Sequence, residues 1–167
     1  MELWDIYDEN REKTGGTHKR GMPMVEGDYH LVIHVWIVNA SGEYLIQKRQ
    51  SWKKGWPNMW DGSAAGCATL GESSVDAVMR ETKEELGIDL NISKGENLFS
   101  IKFSSGFDDV WLVRQNVDIG DLKLQYEEVA DAKWVSETEI KQMVCNGEFI
   151  AYDYLDKLFG MINNELL

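Results

Sequence analysis

The chain has 167 residues, of which 17 are basic and 29 acidic, so its net charge is −12. This length is enough for one domain with a packed core, and a hydrophobic content of 43% is typical of a globular protein. The negative charge argues against a broad nucleic-acid surface, because phosphate backbones attract basic residues. The acidic N-terminus contains no apolar signal segment, and no stretch approaches the roughly 20 apolar residues of a membrane span. We therefore expect a cytoplasmic protein that binds neither nucleic acid nor membrane.

The N-terminal region, residues 1–26, is predicted to contain a short strand over 2–9 and a glycine-rich turn over 13–21. The region also holds a cluster of basic residues, which is unusual in so acidic a chain. These residues are Arg11, Lys13, His18, Lys19 and Arg20. They are either phosphate contacts or the charges of an ordinary solvated loop, and the sequence does not distinguish the two.

Residues 29–38 (YHLVIHVWIV) predict a strand, because the segment is rich in β-branched and aromatic side chains. Side chains alternate between the two faces of a strand, so His30, His34 and Trp36 share one face. Two imidazoles and an indole suit the wall of a pocket, which makes the three residues candidates for substrate binding. The alternative interpretation is that the histidines are packed and hydrogen-bonded in a core.

A second strand is predicted over residues 43–50, and a short strand over 60–65 leads into the segment 66–88. In that segment, Ser73 or Ser74 is placed to cap a helix that Gly87 ends. At about 100° per residue, one side of this helix carries a mostly apolar stripe that we expect to pack on a sheet. The stripe consists of Val75, Val78, Met79, Thr82 and Leu86.

The second half of the chain predicts a hairpin of strands over 98–104 and 109–116, followed by an acidic loop over 117–131. A last strand over 132–135 leads into a helix over 136–145, whose Ser136 and Glu139 have the spacing of a capping box. A final helix is predicted over 150–166. Strands and helices in this order indicate an α/β fold, with a mixed sheet and helices on its faces.

Three acidic residues of the first helix, Glu81, Glu84 and Glu85, have the spacing i, i+3, i+4 and therefore lie on one flank. Their carboxylates repel one another unless a cation lies among them, and hard oxygen ligands of this kind suit Mg²⁺ or Mn²⁺. The alternative is an acidic amphipathic helix whose charged face is only solvated.

Residues 66–88 resemble the Nudix box, the signature segment of the Nudix hydrolases. Seven fixed residues match, and average residue usage puts a chance match on the order of 10⁻⁸ per starting position. One departure is Thr82, where the family prefers an aliphatic residue, although the threonine methyl can still face the sheet. The matching residues are Gly66, Glu72, Arg80, Glu81, Glu84, Glu85 and Gly87.

The resemblance implies an α/β/α sandwich in which residues 1–167 form a single Nudix domain. It implies water attack on a diphosphate, X–P–O–P, with Glu81, Glu84 and Glu85 as metal ligands and Glu84 or Glu85 also contacting the attacking water. Glu72 and Arg80 would form a structural ion pair, and Gly66 would supply backbone freedom.

The position of the general base varies among Nudix enzymes, so the resemblance does not fix it. Glu127 and Glu128 lie in the acidic loop that we expect near the site, and Glu128 is the candidate for the catalytic base.

The stretch 47–66 (QKRQSWKKGWPNMWDGSAAG) also resembles the type 1 isopentenyl-diphosphate isomerases, which are Nudix relatives. Arg49 and Lys53 match isomerase residues that hold the diphosphate, so both are candidates for substrate binding. The catalytic cysteine of the isomerases is replaced here by Ala65, and their second acid–base residue falls at Asp109. An alanine cannot transfer a proton, whereas the carboxylates that hydrolysis requires are all present.

The combined pattern predicts a Mg²⁺- or Mn²⁺-dependent hydrolase of a small organic diphosphate, either an isoprenoid diphosphate or a nucleoside diphosphate derivative. The expected partner is this small molecule, and the protein is expected to be a monomer or homodimer. Two alternatives remain at this stage: isomerase-like activity, and a non-catalytic sensor of a diphosphate ligand.

Overall fold

The computed structural model describes residues 1–165, which form two sheets and three α-helices. The strands are β1 Leu3–Tyr7, β2 Lys13–Lys19, β3 His30–Val38, β4 Tyr44–Arg49, β5 Trp60–Asp61, β6 Ala64–Cys67, β7 Gly95–Phe103, β8 Gly106–Arg114 and β9 Val129–Val135. The helices are α1 Ser74–Leu86, α2 Glu137–Cys145 and α3 Leu155–Glu165. No helix within residues 1–165 has the length and apolar character needed to cross a membrane.

The central sheet has seven strands, with β5, β4, β3, β8 and β7 in spatial order. Strand β6 also pairs with β3, and β9 also pairs with β4. The pair β3 and β8 is parallel, and the other pairs of this sheet are antiparallel. The sheet is therefore mixed, as the sequence predicted. Strands β1 and β2 form a separate antiparallel hairpin.

Strand β3 lies at the centre, and apolar side chains from both of its faces are buried. One face, with Ile33 and Val35, packs under α1 in the first core, and the other, with Trp36, packs under α2 and α3 in the second. Fully burying an aliphatic or aromatic side chain contributes roughly 1.5–3 kcal/mol, so both layers hold the helices on the sheet. This arrangement confirms the predicted α/β class and its mixed central sheet.

Helix α1 begins and ends where the sequence predicts. The Ser73 hydroxyl accepts the backbone N–H of Asp76 at 3.2 Å, and the Asp76 carboxylate accepts the backbone N–H of Ser73 at 2.9 Å. This capping box satisfies two of the free N–H groups at the helix start. At the other end Gly87 has φ +74°, the left-handed conformation that favours glycine.

Two predictions about the helices need correction. Met79, expected in the apolar stripe of α1, is 41% exposed, while Ala77 is buried. The final helix begins at Leu155 instead of residue 150, because the Ile150 N–H bonds the Trp60 carbonyl beside the sheet at 3.0 Å. The predicted end of that helix at Leu166 lies outside the described residues.

Several strand predictions also differ from the structure. The segment predicted as a glycine-rich turn is strand β2, because its backbone pairs with β1 in a hairpin that places Leu3 opposite Lys19. Strands β7, β8 and β9 each begin three residues earlier than predicted. The short strand predicted over 60–65 is two strands, β5 and β6, which pair with different neighbours.

Candidate active site

A polar cleft of about 330 Å³ lies beside α1, where β6, the end of β4, the N-terminal hairpin and the loop before β9 meet. It brings together the three predicted α1 carboxylates and cationic side chains from separate segments. The residues that line it are Glu2, Arg20, Arg49, Lys53, Ala65, Gly66, Glu81, Glu84, Glu85, Gln125 and Glu128.

Glu81 lies directly against the backbone of β6. A Cβ atom at Gly66 would lie 2.0 Å from Oε1 of Glu81, closer than any real contact, so only glycine leaves room for this carboxylate. Burial raises the pKa of Glu81 to about 7, and the charge of Arg80 opposes this rise. The predicted role of Gly66 as a source of backbone freedom is better stated as space for a carboxylate, since its φ is not left-handed.

Glu85 is the most buried of the three carboxylates. It accepts a hydrogen bond from the Gln47 side-chain amide at 2.6 Å and one from the Ala65 N–H at 3.3 Å. Burial raises its pKa to about 8, and the Gln47 hydrogen bond only partly offsets this effect. Gln47 orients this carboxylate, and no motif predicts that pairing because β4 and α1 are distant in the chain.

Arg80 connects the box residues to one another. Its Nε donates to Glu72 at 2.6 Å, and its Nη1 lies 3.0 Å from both Glu81 and Glu84. Its Nη2 donates to the Cys67 carbonyl at 3.0 Å. The geometry of the predicted Arg80–Glu72 ion pair is therefore present, and the same guanidinium also holds two of the three site carboxylates.

Three cations from other segments line the same cleft, and each one contacts a protein acceptor. Arg49 donates to the Gly55 carbonyl at 3.0 Å, Lys53 forms an ion pair with Glu128, and Arg20 pairs with Glu2 at 2.7 Å. Arg49 also lies 3.6 Å from Asp61. Its Nη2 group makes no hydrogen bond to any residue between 1 and 165. We call Glu81, Glu84 and Glu85 the carboxylate wall of the cleft, and Arg20, Arg49 and Lys53 its cationic wall.

The donor set fits a divalent ion in its chemistry, because it consists of three carboxylates with hard oxygen atoms. Burial raises the pKa of Glu81 and of Glu85 most, and the charge of Glu84 adds to the rise at Glu81 as that of Glu81 does at Glu85. The carboxylates are not gathered around one point, and the described part of the chain holds no group of three or more His, Cys, Asp or Glu residues in metal-binding geometry. Protein donors hold these oxygens instead, chiefly from Arg80 and Gln47.

The residues predicted to form a pocket wall, His30, His34 and Trp36, do not line the cleft. His30 stacks on Trp4, His34 lies 2.7 Å from the Tyr154 hydroxyl, and Trp36 is buried. For His34 and Trp36 the reason is that Tyr154 and α3 cover their face of the sheet, which a single strand pattern does not reveal. The three residues are therefore packing residues and not a pocket wall, as the alternative interpretation predicted for the two histidines.

The N-terminal basic cluster also divides. Arg11 pairs with Asp109, Lys13 pairs with Asp5, and His18 stacks on Trp4, whereas Arg20 reaches the cleft. Asp109, the position of the second acid–base residue of the isomerases, is fully buried and hydrogen-bonded outside the cleft.

Ala65 lies in the cleft and Cys67 lies two residues further along the same strand. Burial raises the pKa of the Cys67 thiol to about 12, which keeps it protonated and a poor nucleophile at neutral pH. No thiolate therefore replaces the cysteine that is missing at Ala65.

A larger hollow of about 770 Å³ lies at the far ends of β3 and β8. The described residues that line it include amides and two basic side chains, Lys94 and Arg114, but no acidic, histidine or cysteine residue. It contains none of the predicted site residues, so its size does not make it the reaction centre.

Comparisons with known proteins match this arrangement. A sequence model of the NUDIX domain matches residues 28–155. The Nudix hydrolase lmo0368 of Listeria monocytogenes is 52% identical over 163 residues, 98% of this chain and 96% of the relative. The isopentenyl-diphosphate Delta-isomerase of Escherichia coli K12 is 29% identical over 134 residues, 76% of this chain and 72% of that protein. The crystal structure of DR0079 from Deinococcus radiodurans has a TM-score of 0.77 at 22% identity, covering 93% of this chain and 96% of that one.

These matches confirm the resemblance drawn from the box and the α/β fold built on the mixed sheet. Enzymes of the family act on small molecules and generally use divalent metal ions. The chain therefore belongs to the Nudix family, and it is an enzyme of the pyrophosphohydrolase class.

Proposed function

We propose that this enzyme hydrolyses the diphosphate of a small organic molecule, X–P–O–P, with Mg²⁺ or Mn²⁺ held by Glu81, Glu84 and Glu85. The substrate is a nucleoside diphosphate derivative or an isoprenoid diphosphate. The observation that carries the proposal is the cleft itself, in which the carboxylates of α1 face cations from three other segments. We propose further that residues 1–167 act as a single domain, in the cytoplasm, as a monomer or homodimer without nucleic acid or membrane partners.

The cationic wall is suited to hold the diphosphate. A guanidinium offers five N–H donors in a planar fork that matches phosphate oxygens, and Nη2 of Arg49 makes no hydrogen bond to the described residues. The contacts to Gly55 and Asp61 fix the direction of this side chain before substrate arrives. Lys53 and Arg20 add point charges that offset the repulsion between the substrate and the acidic wall.

The carboxylate wall is the proposed ion site. A divalent ion bound there supplies positive charge that neutralises the diphosphate oxygens and lowers the pKa of water. Gln47 and the Ala65 N–H keep the Glu85 carboxylate at the floor of the cleft, while Gly66 leaves room for Glu81.

Glu128 is the proposed general base. It lines the same cleft, and its ion pair with Lys53 holds its carboxylate in place there. A base in this position takes the proton of the attacking water as the new P–O bond forms, while the bridging P–O bond breaks and its oxygen leaves with the other phosphate.

An isomerase mechanism is less consistent with the cleft. It needs one group to protonate a double bond and another to remove a proton, and Ala65 has no ionisable group. The position of the second group, Asp109, is buried outside the cleft against Arg11. The relative named isopentenyl-diphosphate Delta-isomerase is similar to most of this chain. We do not propose its activity for this protein.

Hydrolysis is tested by incubating the protein with Mg²⁺ and a panel of diphosphates, with release of phosphate or monophosphate as the measurement. The panel contains isopentenyl and dimethylallyl diphosphate, nucleoside diphosphates, ADP-ribose, nucleoside triphosphates and coenzyme A. In Glu84→Gln and Glu85→Gln we expect at least about 100-fold lower kcat/KM, because losing even an outer partner of a metal ligand costs 10- to 100-fold. In both variants the affinity for Mn²⁺, measured by calorimetry, also falls.

The matched control is Glu96→Gln, which removes an exposed carboxylate on strand β7 and leaves the cleft untouched. This variant keeps the parent activity and ion affinity. Absence of turnover for every panel member with Mg²⁺ present, or full activity in both α1 variants, contradicts the proposed function.

A further inference from the structure

Arg20, one of the three cations of the cationic wall, is held by a carboxylate that lines the same cleft. Its Nη1 donates to Oε2 of Glu2 at 2.7 Å, and its backbone N–H donates to the Glu2 carbonyl at 3.1 Å. The guanidinium makes no other hydrogen bond to residues 1–165, although it carries five N–H groups. Glu2 therefore takes the place on Arg20 that a phosphate oxygen of the substrate would need.

Glu2 is the fixed member of this pair. Its Oε1 accepts a hydrogen bond from the Trp4 indole N–H at 2.7 Å. The Trp4 ring is buried and stacks on His18 and His30, with centroid distances of 5.5 and 4.6 Å. Partial burial acts to raise the pKa of Glu2, but the hydrogen bonds from Trp4 and Arg20 outweigh it and hold the pKa below its ordinary value. Glu2 is therefore a charged carboxylate at neutral pH, and Trp4 holds it independently of Arg20.

Arg20 has more room to move than its partner. Its side chain is 58% exposed, whereas that of Glu2 is 31% exposed. It directly follows β2 and precedes Gly21, which has φ +89° and where a Cβ atom would meet nothing within 4 Å. An exposed ion pair contributes little free energy because water screens it. A diphosphate offers the guanidinium several charges and paired oxygens, so the exchange of Glu2 for a diphosphate is favourable.

We propose that Glu2 competes with the substrate for Arg20. The guanidinium pairs with Glu2 before the substrate binds and moves to a diphosphate oxygen when it does, while Trp4 keeps Glu2 in place. This inference deepens the proposed function, on which it rests, by describing how the affinity for substrate is set. Arg20 raises this affinity, Glu2 lowers it, and neither residue takes part in the proton transfer.

The competition is tested by calorimetry at about 0.15 M ionic strength, with Mg²⁺ and methylenediphosphonate, whose P–C–P linkage is not hydrolysed. In Glu2→Gln we expect the Kd to fall about two- to fivefold, because an exposed ion pair no longer has to be broken. In Arg20→Gln the Kd rises about fivefold or more, since a charged hydrogen bond to the ligand is lost. In the double variant the Kd is within about 1.5-fold of Arg20→Gln, because nothing remains to compete for.

Glu137→Gln is the matched control. Glu137 pairs with Lys141 at 2.6 Å on α2, outside the cleft, so this variant makes the same change of charge and breaks a similar ion pair. It leaves the Kd of methylenediphosphonate within about 1.5-fold of the parent value, since distant exposed charges are screened. Circular dichroism verifies that every variant is folded.

A second measurement follows the Glu2 carboxylate itself. The indole N–H of Trp4 donates to Glu2, so its NMR signal, assigned by its loss in Trp4→Phe, reports on the other partner of that carboxylate. Saturation of the parent with methylenediphosphonate shifts this signal, because Glu2 loses Arg20. In Arg20→Gln the signal lies at the shifted position without ligand and does not move at saturation.

The proposal is overturned if the parent does not bind methylenediphosphonate, or if Glu2→Gln fails to strengthen binding. Equal strengthening with and without Arg20 also overturns it, since simple repulsion by Glu2 has that effect, and so does an unchanged Trp4 signal in the saturated parent. Arg20-dependent competition without hydrolysis of any panel member leaves this inference standing and refutes the proposed function. Hydrolysis of a panel member without the competition does the opposite.

Discussion

At the level of single residues, the shape of the cleft depends on a glycine. Gly66 on β6 has no Cβ, and the carboxylate of Glu81 fills that space. The closest approach involves the end of a side chain, so a methyl group here displaces the carboxylate and not the backbone. The sequence placed Gly66 in the box but did not show what occupies the space beside it.

We predict that Gly66→Ala lowers Mn²⁺ affinity and hydrolytic activity at least about tenfold while the fold is retained, because Glu81 is forced out of its position. Calorimetry, activity and circular dichroism measure the three effects. The control Gly160→Ala lies in α3 where a Cβ meets nothing within 4 Å, and it keeps full activity. Gly66→Ala with parent ion affinity contradicts the assignment of Glu81.

Some residues of the cleft could be predicted from the sequence, and others could not. The α1 carboxylates, Arg49, Lys53 and Glu128 all line one cleft; Glu128 was predicted from its place in the acidic loop and the others from local motifs. Glu2 and Gln125 belong to the same environment but lie outside these motifs, and Gln47 lies in the isomerase-like stretch without a predicted role. The reason is that these segments meet only after folding. Gln47 has one sequence signal, a polar residue in a buried part of β4, which requires a hydrogen-bond partner.

At the scale of elements, α1 is the best predicted part of the molecule. Its boundaries follow from Ser73 and Gly87, whose roles are local and readable from the chain. Strand β3 was also predicted with the correct alternation, but the use of its second face was wrong. That face is covered by α3, about 120 residues later in the chain. The alternation of side chains along one strand carries no information about packing against so distant a segment.

We predict that Ser73→Ala lowers the free energy of unfolding by about 1 kcal/mol, the usual effect of losing an N-cap side chain. Ser136→Ala removes the matching capping box of α2 and has a similar effect on stability. Urea denaturation measures both values. Ion affinity falls in Ser73→Ala alone, since α1 carries the carboxylates; equal ion affinity in the two variants counts against α1 as the ion platform.

At the scale of the whole molecule, one buried carboxylate joins four parts of the fold. Asp109 on β8 accepts hydrogen bonds from Arg11 at 2.7 Å, Ser74 at 2.6 Å and Ser100 at 2.5 Å. These partners lie in the N-terminal hairpin, in α1 and in β7. Burial acts to raise the pKa of Asp109, but the hydrogen bonds outweigh it and hold the pKa below its ordinary value.

A carboxylate whose pKa is lowered by folding stabilises the protein above its unfolded pKa, near 4, and this contribution is lost as pH falls through the folded pKa. We therefore predict that Asp109→Asn destabilises the protein at pH 7 by about 2–3 kcal/mol. Breaking a fully buried ion pair costs about 3–5 kcal/mol, and the effect is smaller here because Arg11 is partly exposed.

Urea denaturation at several pH values tests this expectation: the difference between Asp109→Asn and the parent shrinks as the pH is lowered below about 4. The control Asp89→Asn removes an exposed partner of Lys83 and changes stability by less than about 0.5 kcal/mol. A difference for Asp109→Asn that stays constant with pH means that its charge is not the stabilising feature.

The N-terminal hairpin has a practical consequence for anyone who purifies the enzyme. Glu2 lines the cleft, and the Leu3 carbonyl accepts the backbone N–H of Leu70 at 2.8 Å, which anchors the start of the chain beside the entrance. An affinity tag fused before Met1 therefore emerges one residue from the proposed active site, where a polyhistidine sequence would compete for the divalent ions that assays supply. Tags placed after α3, on the opposite side of the sheet, avoid this artefact.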